Sequence, residues 1–238
     1  MALIVGAGEG NGGAIAKRFA RGGYTLALNR RAAEPLAELV RVITAEGGKA
    51  LAYAGDARDE ADVARRVAQI EQDLGPIDAL VFNLGDNRPA SILAQSAADF
   101  RALWELNCYA GFLNAREVAR RMVPRGRGVI LFTGATGSVR GAARFAAFAS
   151  AKHGLRALAQ SMARELGPLG VHVAHVVLDG VVDNARSLNR MPDYYARCKA
   201  QGRLLSPGHI AESYWYLAQQ PRDAWTFELD LRAATEPW

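Results

Sequence analysis

Cysteine is scarce in this chain: Cys108 and Cys198 are the only two among 238 residues. Two thiols cannot build a disulfide framework, so the composition points to a reducing compartment, the cytosol, and away from secretion. No apolar run is long enough to cross a membrane. The opening stretch Met1-Ala2-Leu3-Ile4-Val5-Gly6 lacks a basic leader and is too short for an export signal; it reads as a buried strand. Lysine is rare as well. Of 29 basic residues four are Lys, and the 25 Arg are scattered in ones and twos. A nucleic-acid face would gather them in a stripe with aromatics between, so the net charge of +5 does not argue for such a partner. Repeats, low-complexity tracts and Pro/Ser-rich linkers are missing too, which leaves residues 1–238 as one expected domain.

Half of the positions are hydrophobic, enough for a substantial core. Short apolar runs at 2–6, 24–29, 49–54, 78–83, 128–133, 171–177 and 226–231 read as strands. Helical patterns at 12–22, 33–46, 59–73, 97–106, 108–122, 145–166 and 207–219 alternate with them. Strands this apolar must be covered on both faces, which requires crossover helices and a parallel sheet. The expectation is a doubly wound Rossmann α/β fold of seven strands, with a ligand crevice at their carboxyl ends.

The first strand runs into Gly6-Ala7-Gly8-Glu9-Gly10-Asn11-Gly12-Gly13, after which a helix opens. Glycines let the backbone approach a pyrophosphate, and the helix N-terminus offers free N–H groups and positive potential. Gly8, Gly10 and Gly13 fit G-x-G-x-x-G, whereas Gly6, Gly10 and Gly12 fit G-x-x-x-G-x-G. At the end of the second strand stands Asn29-Arg30-Arg31, with no acid before Glu34. NAD sites place an acid there for the ribose hydroxyl and NADP sites an Arg for the 2′-phosphate, so NADP(H) is favoured. Glu9, near the same phosphate, opposes this slightly.

The second glycine spacing, Gly55-Asp56 after strand three, Phe82-Asn83-Leu84-Gly85 after strand four, Asn107 within a helix and Lys152 resemble the short-chain dehydrogenase/reductase family. The resemblance runs from Leu3 to about Arg232. It implies a nicotinamide cofactor held by Gly6, Gly8, Glu9, Gly10, Asn11, Gly12, Asn29, Arg30, Arg31, Asp56, Ala57, Asn83, Leu84, Gly85, Lys152, Gly180 and Val182. It also implies that Asp56 meets the adenine and that Lys152 holds the nicotinamide ribose, while Asn107 anchors a water relay. Homodimers or homotetramers through the helices at 97–122 and 145–166 follow from the same analogy.

The resemblance breaks at two positions. The family's Y-x-x-x-K pair has its Lys at Lys152, but Phe148 stands where the proton-donating Tyr belongs. Thirteen residues earlier, the expected catalytic Ser is Ala135. Losing a general acid costs about 10²–10⁴ in rate, and losing an oxyanion donor about 10²–10³. No Tyr occurs between Tyr109 and Tyr194, so no shift of register restores the pair. Replacement donors have duller readings beside them. Tyr109 fits a packed helix face, Ser138 a turn, and Arg144 a solvated helix start. Asp179, where the family has Pro, is either an acid or a turn cap. Lys152, Asn107 and Asp179 are the catalytic candidates. A segment at about 184–206, containing Met191-Pro192-Asp193-Tyr194-Tyr195, matches the family's substrate lid and suits an apolar or aromatic small molecule. Two functions fit: an atypical NADP(H) oxidoreductase acting on iminium, enoyl or other activated substrates, or a catalytically inactive NADPH-binding sensor.

Overall fold

The computed structural model describes residues 1–236; the last two residues of the expected domain lie outside the described residues. Strands β1 (Ala2–Val5), β2 (Thr25–Arg30), β3 (Lys49–Ala54), β4 (Ala79–Phe82), β5 (Gly128–Thr133), β6 (Val171–Leu178) and β9 (Glu228–Leu231) form one sheet in the order β3-β2-β1-β4-β5-β6-β9. Every neighbouring pair is parallel. The doubly wound expectation is therefore met, with strand ends shifted by a residue or two.

All four residues of β1 and of β4, and all eight of β6, are buried, because helices cover both faces. On one face Ile4, Leu28 and Leu131 pack with Ile15 and Phe19 of α1 (Asn11–Arg21), Leu36 and Ile43 of α2 (Glu34–Ala45), and Tyr214 of α9 (Pro207–Ala218). On the other, Leu3, Phe82 and Phe132 meet α3 (Glu60–Leu74), α5 (Ala110–Met122) and α6 (Ala146–Leu166). Each such large side chain contributes about 1.5–3 kcal/mol by leaving water. Helix starts follow local chemistry. Asp59 caps α3 by accepting from the Asp62 N–H, and Ser96 caps α4 (Ala97–Trp104) through the Asp99 N–H.

Two features depart from the expected pattern. The helices expected at 97–106 and 108–122 are one continuous rod, because a π turn at Glu105–Tyr109 joins α4 to α5. The segment 184–206 is also more ordered than a loop. It holds α7 (Ala185–Arg190) and α8 (Pro192–Ala200), and a two-stranded ribbon closes its base, where β7 (Val181–Val182) pairs with β8 (Leu204–Leu205). The strand order reverses between β1 and β4, which puts the topological switch point of the sheet at their carboxyl ends, after Val5 and Phe82.

Candidate functional site

At the end of β1 the chain turns through Gly6 (φ +86°) and Gly10 (φ +95°) into α1. A Cβ on Gly6 would lie 2.8 Å from the Asn83 carbonyl oxygen, and one on Gly13 would lie 2.8 Å from the Gly8 oxygen. A Cβ on Gly12 would collide with the Gly6 carbonyl. Those glycines are demanded by the protein's own packing. Gly8 is not, since a Cβ there would meet nothing nearer than Arg30 Nη1 at 3.6 Å. An open surface therefore remains at Gly8, beside an α1 N-terminus that no side chain caps. Asn11 Oδ1, on the first residue of α1, is buried without a hydrogen-bond partner among the described residues. This is a fitting cradle for a pyrophosphate.

Beside the cradle, the Arg30 guanidinium has no acceptor among the described residues. Asn29 is buried scaffold: its Nδ2 donates to the Tyr53 carbonyl at 2.8 Å, and its carbonyl accepts from Gly6 and Ala7 N–H. Arg31 and Glu9 are exposed. Asp56 is claimed by Arg58, with Nη2 2.6 Å from Oδ2, and this contact holds the carboxyl below its usual range. The buried Ala57 accepts from Asn114 Nδ2 through its carbonyl. Leu84 packs on the α3–α5 core.

Deeper in the crevice, Lys152 on α6 is 3% exposed and donates to the Thr133 carbonyl at 2.8 Å. Burial pushes its ammonium down to about 8. A Cβ on Gly85 would lie 3.0 Å from Asn107 Oδ1 and 3.3 Å from Lys152 Nζ, so these three positions converge. Asn107, in the π turn and fully buried, spends its amide on backbone. It donates to the Leu103 and Asp86 carbonyls at 2.8 and 2.9 Å and accepts from the Asp86 N–H at 3.2 Å. The half-buried Phe148 ring lies against Gly137, where a Cβ would stand 2.9 Å from Cδ1. The Ala135 N–H donates to Ser138 Oγ at 3.1 Å, so Ser138 serves the turn.

Of the other candidate donors, Arg144 has no acceptor among the described residues, and those that follow are engaged. Asp179 is 1% exposed; Thr136 Oγ1 donates to it at 2.6 Å, and Arg140 and Arg232 form ion pairs at 3.2 and 3.1 Å. Tyr109 stacks between Trp104 and Phe112. In the lid, Tyr195 donates to Asp183. Buried Tyr214 has its hydroxyl 2.6 Å from Thr133 Oγ1, which donates in turn to Asn83 Oδ1 at 3.1 Å.

The lid crosses this crevice. Val182 packs on the α1 side of the core, and Asn184 lies over Gly10, where a Cβ would stand 3.2 Å from the Asn184 side chain. Arg186 donates to the Gly85 carbonyl at 3.2 Å and to Asp86 Oδ1 at 2.6 Å, and Arg190 grips the same oxygen. Burial pushes the Asp86 carboxyl up, but Arg190 and Arg186 together outweigh it and hold the group low. These contacts had no sequence signal beyond the i,i+4 spacing of the two arginines, because their partner lies a hundred positions away.

Comparison with known proteins agrees with this geometry. The family model described as short chain dehydrogenase matches residues 1–191. Gluconate 5-dehydrogenase of Gluconobacter oxydans (strain 621H) is 37% identical over 172 residues, covering 72% of this chain and 67% of that enzyme. A solved short-chain dehydrogenase from Rhodopseudomonas palustris is 42% identical with a TM-score of 0.83, covering 100% of this chain and 98% of that one. A metagenomic short-chain oxidoreductase in complex with NADP is 27% identical with a TM-score of 0.85, over 99% and 97% of the two chains. No helix among the described residues is long and apolar enough to cross a membrane. The chain belongs to the short-chain dehydrogenase family.

Proposed function

We propose that this protein is an NADP(H)-dependent oxidoreductase in which Phe148 and Ala135 occupy the positions of the family's Tyr and Ser. The observation that carries the reading is the apolar floor beside Lys152. A phenyl ring sits one helical turn from the ammonium, packed on Gly137, where the family has a phenol. When bound, the reduced nicotinamide supplies a hydride. The Gly8 surface and the α1 N-terminus hold the pyrophosphate, and Arg30 meets the 2′-phosphate. Lys152 spends one of its three N–H donors on Thr133 and keeps two for the nicotinamide ribose. Asn107 acts as a positioning residue, fixing the loop after β4. Asp179 holds the loop after β5 to the end of β6 through Thr136 and Arg140.

With no hydroxyl on Phe148 or Ala135, the substrate must need no proton from those two positions at the reacting centre. An iminium ion already carries its proton, and hydride addition to an activated enoyl group gives an enolate, its charge displaced from the reacting carbon, that takes its proton from solvent. Calorimetric titration should give tighter binding for NADPH than for NADH by about 10- to 100-fold, the worth of one charge-assisted contact. Arg30→Ala should erase the difference. Absorbance assays should then show NADPH oxidation with 2-methyl-1-pyrroline but little with acetophenone. Tight NADPH binding without oxidation of any imine, enone or ketone would assign a nucleotide sensor instead.

A further inference from the structure

Arginines crowd one side of the crevice mouth. Arg186 and Arg190 come from the lid, Arg88 from the loop after β4, and Arg144 from the segment leading into α6. Two guanidiniums converge on Asp86 Oδ1, and Arg88 Nε lies 3.5 Å from Oδ2. The other acid at this rim, Asp99, is taken by Arg88 Nη1 at 3.0 Å. Asp183, just before the lid, accepts from the Tyr195 phenol, and Asp193, the lid's own acid, is exposed on α8.

Arg144 belongs to the same rim, because its carbonyl accepts from the Ala90 N–H at 2.9 Å, two residues beyond Arg88. Its φ of +71° is the only positive value at a non-glycine among the described residues. Its guanidinium has no acceptor among those residues. Three cations thus share Asp86 and Asp99, and Arg144 pairs with neither. Arg186 and Arg190 are like charges at i,i+4 on a short helix, an arrangement that repels unless an anion lies between them. Asp86 supplies one negative charge for three positive neighbours, so the rim retains a surplus that a further anion would neutralise.

The rim also stands at the right place. Asp86 follows Gly85, whose Cα faces Asn107 and Lys152, and Arg186 spans from the Gly85 carbonyl to the Asp86 carboxylate. Arg186 thus touches Gly85, the position at which a Cβ would stand 3.3 Å from Lys152 Nζ. We infer that the substrate is a carboxylate-bearing small molecule, its acid group held by Arg144 and by the lid arginines Arg186 and Arg190. Asp86 keeps the two lid arginines in register before that carboxylate arrives. The inference narrows the proposed oxidoreductase reading and rests on it for the identity of the reacting carbon. The apolar or aromatic body expected of the substrate is retained.

The probes are benzoylformate and its methyl ester, which share shape and differ in charge. Binding is measured by thermal shift on the protein alone and by nucleotide fluorescence on the NADPH-saturated protein. At low salt the acid should bind at least about tenfold more tightly than the ester, as one charge-assisted contact provides. High salt should shrink that ratio, since the rim is exposed. Arg144→Gln, which breaks no contact among the described residues, should remove most of the preference while leaving the melting temperature and ester binding unchanged. Arg190→Gln should act in the same direction. Equal affinity for acid and ester, no binding of either, or a preference that survives both substitutions would overturn the inference. Failure of NADPH to bind, with the acid still preferred in the thermal shift, would instead count against the cofactor reading and leave the anion subsite standing.

Discussion

Asn107 holds Asp86 by both of its backbone groups, donating to the carbonyl at 2.9 Å and accepting from the N–H at 3.2 Å. The side chain thus pairs with the loop after β4 much as a neighbouring strand would. Its second amide hydrogen goes from the π turn, which interrupts the regular helix, back to the Leu103 carbonyl of α4. The same Asp86 presents its carboxylate to Arg186 and Arg190. A buried amide in a helix is in this way linked to the closure of the lid.

Replacing Asn107 with Leu should therefore cost more than a helix substitution. It strands backbone groups of Asp86 and Leu103, each buried polar group left unmade costing about 1–3 kcal/mol. Urea denaturation should show a loss of at least about 1–3 kcal/mol, the cost of a single such group. The lid should also loosen, read as faster proteolysis within 184–206 while the sheet stays folded. A variant as stable as the parent, with unchanged proteolysis, would contradict this link.

Lys152 predicts a pH dependence in cofactor binding. Burial has pushed its ammonium down to about 8, so the free site loses its charge as pH rises through that value. If the charged form donates to the nucleotide, binding raises the pKa. NADPH affinity should then be level below about pH 8 and fall by up to about tenfold per pH unit above it. Lys152→Arg keeps its charge and should give a level profile; Lys152→Met should bind weakly at every pH. A level profile for the unaltered protein would mean that Lys152 does not touch the nucleotide.

His175 makes a separate prediction about acid stability. It is fully buried in β6, and burial pushes its imidazole down from 6.5 to about 4. Neutral at pH 7, it donates from Nδ1 to Glu228 Oε2 at 3.0 Å, while Arg156 holds the other oxygen at 2.7 Å. The folded state thus binds fewer protons than the unfolded state between these values. Its stabilising contribution is complete above about pH 6.5 and is lost as pH falls towards 4, amounting to about 3 kcal/mol. His175→Leu should flatten that part of the stability profile, measured by urea midpoints across the range. An unchanged acid slope would sink the assignment.

The sheet was readable because Ala2–Val5 and Ala79–Phe82 are apolar without alternation and Val171–Leu178 is broken only by His172 and His175, as strands buried on both faces require. The Gly-rich turn was readable because Gly6 and Gly10 need positive φ. The π turn was not, since one extra residue in a helical turn leaves no mark on an apolar pattern. The ribbon joining Val181–Val182 to Leu204–Leu205 was missed because two-residue strands carry no periodicity and their pairing is not local. Asp56 looked like an open acceptor, yet Arg58, only two residues on, takes up its carboxylate. Nothing in the sequence around Asn107 announced that its side chain bonds to the backbone of Leu103 and Asp86. Sequence named the residue types at the site, but long-range contacts decide which of their polar groups remain free.

Restoring the two hydroxyls tests the arrangement on which the proposed function depends. Phe148→Tyr places a phenol at i−4 from Lys152, on the same face of α6. The ammonium there lowers the cost of ionising a neighbouring phenol, as opposite charges within a few ångströms do. The ring already lies against Gly137 and is only half-buried, so an added hydroxyl has an outlet. Ala135→Ser adds a donor on the strand-end turn, whose N–H is already fixed by Ser138. With NADPH bound, the double variant should reduce a small ketone at least about 10²-fold faster than the parent, the lower bound for regaining a general acid. Each single variant should gain less, because such groups act as a unit. A folded, NADPH-binding double variant that stayed inert towards neutral and carboxylate-bearing ketones alike would mean that Phe148 does not stand where the proton is delivered. The apolar floor beside Lys152 would then have to be explained by packing alone.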